Sequence, residues 1–407
     1  MQDIEQHEFQ TTARARRFFL VLVLGCLTAI APLSIDMYLP ALPSLSVSLH
    51  ASTSVTQLSL TACLIGLAVG QLVAGPISDA RGRRMPLLVG VAVYTVASAL
   101  CAITPSVWIL ILFRLIQGLA GSAGLVIARA IVRDMYSGTL MTKFFALLML
   151  VNGVAPIAAP IIGGQLLRFT SWHGIFIILG IVGLLMFLGV FFGVPETLPQ
   201  TRRHVGGIKA TGVAMKKLIQ DRVFIGYSGA MGLVFAAMFS YISGSPFILQ
   251  NVFGVSPQMF SVIFAVNGVG IILAGQIGAA LSDRYGERIL FISGLALAGM
   301  GGVVLLGMLL SGAGLIGVLP PLFCVVSSVG IVSATGTSLA MQGQGTNAGS
   351  AAALIGVPQM LVGAIAAPLV GVGGSHTAVP MGLMITICAL GAILCYWVLI
   401  RGSRSLE

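Results

Sequence analysis

Uncharged apolar runs of about 20 residues, the length an α-helix needs to cross the hydrocarbon of a bilayer, recur along the whole of this 407-residue chain. The first opens "FFLVLVLGCLTAIAP" just after Arg17, and from there to Asp79 the only formally charged side chain is Asp36. Twelve such runs separate the clusters of charge. Within lipid a backbone must satisfy its own hydrogen bonds, so runs of this length close into helices. Hydrophobic residues make up 57% of the chain and charged residues only 8%, against about 25% charged in an ordinary soluble domain. That leaves too little polar surface to cover a soluble core. The expected class is an all-α membrane protein of twelve transmembrane helices.

The basic residues test that count, because short cytoplasmic loops collect Lys and Arg. With both termini cytoplasmic, nineteen of the 21 basic residues fall in internal segments, and a miscounted span would scramble this sorting. The net charge of +10 therefore reads as membrane orientation and not as a nucleic-acid footprint. On this reading residues 1–17 form a cytoplasmic tail, 18–194 a six-helix bundle, 195–222 a cytoplasmic connector, 223–400 a second six-helix bundle and 401–407 a tail. Arg14 to Arg17 followed by "AIA" imitate a secretory signal, and "LGC" ending at Cys26 imitates a lipoprotein site. Cleavage at either would reverse the parity that sorts the arginines, so neither is expected. The six cysteines lie inside spans without ligand-like spacing, so neither a disulfide framework nor a metal site is expected. "GAGLIG" (Gly312 to Gly317) fits a nucleotide-loop pattern by letter but has no strand before it and no acid after it. Trp108, Trp172 and Trp397 near span ends suit interfacial anchors or plain packing.

The chain repeats itself. "DARGRR" (Asp79 to Arg84) and "DRYGER" (Asp283 to Arg288) share D-x-x-G-x-R at an offset of 204, close to half of 407, and each follows the second span of its half. Two similar bundles are expected, related by an axis along the membrane normal. In the connector, Ile208 to Ile219 carries Lys216 and Lys217 beside Val213, Met215 and Leu218. An amphipathic helix on an anionic leaflet and a plain tether both fit.

Two charges sit inside spans. Arg114 is the only charge between Arg84 and Arg129, in the fourth run, Val107 to Ala128, which precedes the fifth, Phe144 to Arg168. It lies six residues past Trp108, about 9 Å into the membrane from the outer side. Asp36 lies four residues before Pro40, about 6 Å from the outer end of a span that runs the opposite way. An ionisable group at mid-span costs about 2.5–3.5 kcal/mol on insertion scales, so these two, at similar depth, are expected to face a shared polar cavity.

These residues carry a resemblance. The twelve-span, two-bundle plan with "GPISDARGRR" (Gly75, Asp79, Gly82, Arg83, Arg84), "RLIQG" (Arg114, Gln117, Gly118) and "NGVAPIAAPIIGG" (Pro156, Pro160, Gly163, Gly164) resembles the major facilitator superfamily and its drug/proton antiporters. "LSIDMYLPALP", "ARAIVRD", "SWHGIF" and "PETLP" are similar to the bicyclomycin and chloramphenicol resistance (Bcr/CflA) branch. The chain departs from the family pattern at Ala80, where a basic residue is usual and Arg81 follows instead, and at Ala155 and Ala159, where glycines are usual. The resemblance implies a cytoplasmic latch between the halves at the first motif and its second copy (Asp283, Arg284, Gly286, Arg288). It also implies a bent fifth helix that seals the cavity against proton leak.

The expected function is efflux of small amphipathic drugs in exchange for protons, by rocking of the two bundles in the bacterial inner membrane. Asp36 would carry the proton and bind substrate in competition with it, and Arg114 would tune it, with Arg114's own contact to substrate left open. Tyr38, Gln117 and Asn152 would add polar contacts, and Met149, Phe239 and Tyr241 an adaptable apolar wall. Ser240, Ser243, Asn267, Gln276 and Gln359 either line the cavity or tie helices together. No cofactor is expected, the proton gradient being the energy source, and the partners are drug, protons and lipid for a monomer. Export of a sugar, amino acid or other metabolite is the alternative. A membrane enzyme or receptor finds no supporting motif.

Overall fold

The computed structural model of the chain describes residues 2–203, 220–342 and 348–401. Among these residues twelve helices are long and apolar enough to cross a membrane. They are α1 (Gln2–Asp36), α2 (Thr53–Arg81), α3 (Arg84–Ile103), α4 (Val107–Met135), α5 (Gly138–Leu166), α6 (Trp172–Gly193), α7 (Arg222–Phe247), α8 (Pro257–Tyr285), α9 (Glu287–Leu310), α10 (Leu315–Met341), α11 (Ala348–Val370) and α12 (Val379–Tyr396). The Ile208–Ile219 stretch and the tail beyond Arg401 lie outside the described residues. α1 starts at Gln2, so the stretch expected as a tail joins the first helix. α4 and α5 likewise overshoot their apolar runs, to Met135 and back to Gly138. The hydrocarbon fixes where an apolar run must end, but Arg, Lys and Met are good helix formers that carry the helix on into water.

Each half follows one packing scheme. α1 lies against α4, α5 and α6, α2 against α4, and α3 against α4 and α6; in the same way α7 lies against α10, α11 and α12, α8 against α10, and α9 against α10 and α12. The halves meet where α2 packs on α11 and α5 on α8, two contacts that a two-fold axis exchanges.

The 204-residue repeat reaches further than the shared motif. Ser52 and Ser256 both cap the helix that follows, each hydroxyl accepting a hydrogen bond from an amide three residues on. Gly82 and Gly286 both end it, at φ +94° and +81°, a left-handed region open to glycine. Their amides donate to the carbonyls of Ser78 and Ser282. The polar chemistry then diverges: where the first half has Arg83, the second has Glu287, which accepts from Ser338 and Gln342, while Arg288 donates to the Tyr396 hydroxyl at 2.9 Å.

Candidate functional site

α1 stops at Asp36, and its last carbonyls, which have no donor within the helix, form its negative pole. Arg114 of α4 answers that pole: Nη2 donates to the Ser34 carbonyl at 2.8 Å, and Nη1 donates to Gln117 Oε1. The guanidinium carbon stands 4.5 Å from the centre of the Tyr38 ring and 5.7 Å from that of Phe176, within cation–π range. Gln117 Nε2 donates to the Ser98 hydroxyl at 2.7 Å, the Tyr38 hydroxyl meets Ser59 at 2.7 Å, and Tyr94 meets Ser34 at 2.8 Å. Arg114 is fully buried, at 0% exposure, and welds α1, α2, α3, α4 and α6 together.

The expected meeting of Asp36 and Arg114 is therefore not what the structure shows. They share a depth, since Arg114 holds a carbonyl only two residues from Asp36. They form no ion pair: among the described residues the ion pairs are Arg83 with Asp79 and Asp134, and Arg203 with Glu196. A helix pole and an amide oxygen take the two terminal nitrogens and two aromatic faces lie against the guanidinium, while Nε is buried with no hydrogen-bond partner among the described residues.

Asp36 is buried, at 6% exposure, at the end of α1, and the turn that follows, Leu39–Ala41, packs on α7 and α8 of the opposite half. The Tyr241 hydroxyl accepts from Asn267 Nδ2 at 3.0 Å, and its ring stacks on Phe264 with centroids 5.5 Å apart and planes 17° apart. The end of α1 thus reaches the boundary of the bundles, and α7 and α8 carry an aromatic and amide group on the other side of it.

The other proposed contacts separate from this cluster. Tyr38 and Gln117 belong to the Arg114 network. Phe239, two residues from Tyr241 and so on another helix face, packs on Gly363 of α11. Met149 is exposed and Asn152 donates its amide to the Leu148 carbonyl at 2.8 Å. Gly163 of the same helix touches Met37, and Asn152 lies eleven residues earlier, about 16 Å away along the axis. Depth alone keeps both out of the Asp36 cluster. Trp172 is buried against Phe176 rather than lying in the interface, whereas Trp108 and Trp397 are exposed.

The α5 motif makes contacts at the end opposite the arginines. A methyl on Gly163 would overlap the Met37 carbonyl oxygen, and one on Gly164 would overlap Ser261 of α8, so these two positions let α5 touch both α1 and the other half. Side chains then stitch the halves. Gln258 donates to the Gly164 carbonyl at 2.8 Å and Gln250 to Pro40 at 3.0 Å. From α2, Ser54 donates to Pro368 at 3.2 Å, Gln57 to Ser243 at 2.9 Å and Thr61 to Ala364 at 2.8 Å. The Ala364 carbonyl is free because its helical donor would be Pro368, which has no N–H. The contact nearest the arginines is Gln71 on the Met360 sulfur at 3.5 Å.

At the arginine-rich end the first motif binds only its own half. Arg83 is buried and pairs with Asp79 at 2.5 Å and with Asp134 of α4 at 2.9 Å. Arg84 donates to the Phe191 carbonyl at 2.6 Å. Among the described residues no latch across the halves is formed by Gly75, Asp79, Gly82, Arg83 or Arg84, nor by Asp283, Arg284, Gly286 or Arg288. The bundles are tied at the other end, and here Arg83 clamps α2 to α4 and Arg84 clamps α3 to α6.

Glu196, of the "PETLP" stretch, docks on the start of α3, accepting from the amides of Arg83 at 2.8 Å, Arg84 at 3.2 Å and Leu198 at 2.9 Å. Burial opposes its charge, but these amides and Arg203 outweigh it and hold the carboxyl below the ordinary glutamate range. A depressed acid stabilises the fold above its unfolded-state pKa, and the benefit fades as pH falls through the lower folded value. Glu196→Gln, which removes the charge, is expected to lower the detergent melting temperature at pH 7. The gap to wild type should close as pH falls below about 4. Equal melts at pH 7 would contradict this docking.

Residues 24–368 match the family model described as Major Facilitator Superfamily. The chain belongs to that superfamily. It is 42% identical over 380 residues to the uncharacterized MFS-type transporter YdgK of Bacillus subtilis (strain 168), covering 92% of this chain and 93% of the relative. It is 30% identical over 394 residues to a bicyclomycin resistance protein homolog of Haemophilus influenzae, covering 96% and 98%. Its fold matches that of a bacterial homolog of the human lysosomal transporter Spinster at a TM-score of 0.74 and 13% identity, covering 96% and 97%. Family and fold are those of multi-pass inner-membrane transporters of small molecules, not of enzymes. Sequence reasoning missed Ser34, Tyr94, Ser98 and Phe264 at the site and Gln57, Thr61, Gln250 and Gln258 between the halves. A signal existed for one of them: Pro368 inside a span announces a free carbonyl four residues before it.

Proposed function

We propose that this superfamily member exports small amphipathic drugs in exchange for protons, with Asp36 as the coupling group. The supporting observation is a buried carboxyl, at the end of the helix that leads to the boundary of the bundles, with no ion-pair partner among the described residues. A buried, unpaired carboxylate is too costly to persist, so a proton or a group on the ligand must neutralise it. One group that accepts either, but not both, is the minimum that exchange requires. Arg114 fixes the last turn of α1 and so positions Asp36 without pairing with it. The drug class rests on the bicyclomycin-resistance relative. With the arginine-rich end taken as cytoplasmic, the bundles are joined on the outer side, as in an inward-facing transporter. The proton gradient supplies the energy, no cofactor takes part, and a monomer suffices.

The test is accumulation of bicyclomycin, chloramphenicol or ethidium by inverted membrane vesicles holding the protein. Uptake is expected when the lumen is acidic and should vanish on adding a protonophore. Uptake indifferent to the protonophore would sink the coupling. Movement of sugars or amino acids but of none of the three compounds would return the metabolite exporter.

A further inference from the structure

The displaced arginine of the first motif has no place in the clamp or in the transport site. Arg83 and Arg84 are engaged, whereas Arg81 is exposed and has neither an ion pair nor a hydrogen bond among the described residues. It ends α2, one residue past the position where the family signature carries its basic residue, a rotation of about 100° around the helix.

That rotation brings Arg81 to the mouth of an apolar cavity of about 480 Å³ between α2 and α3. The two helices hardly touch each other, yet each packs along α4, because Gly70 and Gly90 lie directly on α4 backbone and small side chains. Val73 and Ile77 form one wall, Val89 and Val93 the other, and Leu119 and Ala123 the floor. Apart from Arg81 the lining residues are all apolar. From Arg81 back to Gly70 is eleven residues, about 16 Å of helix, or roughly half of a ~30 Å hydrocarbon layer. The cavity is thus one leaflet deep, greasy throughout, with a free cation at the headgroup end.

We infer that this groove holds one anionic phospholipid from the leaflet on the arginine-rich side, its acyl chain between α2 and α3 and its phosphate on Arg81. The occupant is argued from charge and length together: a free guanidinium selects an anionic headgroup, and a leaflet-deep apolar slot selects a chain. The lipid would wedge apart the two helices whose connecting turn carries Arg83. The inference is independent of the transported substrate.

Purified full-length protein in a neutral detergent is titrated with phosphatidylglycerol or with phosphatidylcholine of the same chains, and retained lipid is counted by native mass spectrometry. Wild type is expected to keep one phosphatidylglycerol in preference to phosphatidylcholine. Arg81→Gln should weaken that retention about fivefold, the effect of one basic residue at an anionic surface. Val89→Trp, which fills the groove and leaves the charge, should weaken it as well; Ala74→Phe serves the same purpose if the tryptophan variant does not fold. Arg284→Gln, which removes a charge from the same end of the second half, should leave it unchanged. Equal loss in Arg284→Gln, full retention in the filled variants, or no preference between the two lipids overturns the proposal.

Discussion

Vesicles carrying Asp36→Asn are expected to show gradient-driven drug accumulation no greater than vesicles without the protein, while the variant melts at the wild-type temperature. Asparagine keeps the size of the side chain, but it cannot take up and release a proton. Coupling should therefore disappear and binding of a cationic substrate, which would neutralise the carboxylate, should weaken, while passive counterflow of an uncharged substrate between preloaded vesicles persists. The separation matters, because a variant that merely misfolds would lose both. Asp36→Glu should recover part of the activity, limited by the extra methylene in a buried site. Gradient-driven accumulation at the wild-type rate by Asp36→Asn would remove Asp36 from the coupling step.

The second large effect is on stability. Replacing Arg114 by Met preserves apolar volume but leaves the Ser34 carbonyl and Gln117 Oε1 without their donor. Each buried group so orphaned costs about 1–3 kcal/mol, and lost ring contacts add to this, so about 3–5 kcal/mol is expected. That corresponds to a fall in melting temperature on the order of 10 °C. Arg114→Lys should recover little of it, since one ammonium lacks the planar fork that serves two acceptors and stacks on Tyr38. A lysine variant that melts like wild type would show that the fork geometry is dispensable. Coupling should weaken in both variants, because the turn that presents Asp36 is no longer held.

The sequence made the spans legible because membrane thickness is a single length that every crossing must meet. It also made the shared depth of Asp36 and Arg114 legible, since rise per residue converts position into depth. It did not reveal their contacts. Depth says nothing about which way a side chain points around its helix, and the alternative partner of Arg114 is a backbone carbonyl, which leaves no mark in the alphabet of residues. The same blindness hid the seal between the halves. Asn152 and Met149 were a different kind of miss: counted along α5 from Gly163, which touches Met37, they lie about 16 Å and about 21 Å away along the axis. For the "DARGRR" stretch the resemblance implies a latch onto the second half, whereas its partners are Asp134 and Glu196 of its own half.

One property of the seal bears on how such a transporter can change over generations. Each side chain that joins the bundles at the end opposite the arginines donates to a main-chain oxygen, so the accepting positions can vary in residue type without erasing the bond. Evolutionary drift is then free on the accepting face, except at Pro368, whose missing N–H frees the Ala364 carbonyl for Thr61, and restricted on the donating one. Libraries randomised at Ser54, Gln57, Thr61, Gln250 and Gln258 should lose function far more often than libraries randomised at Pro40, Ser243 or Ala364.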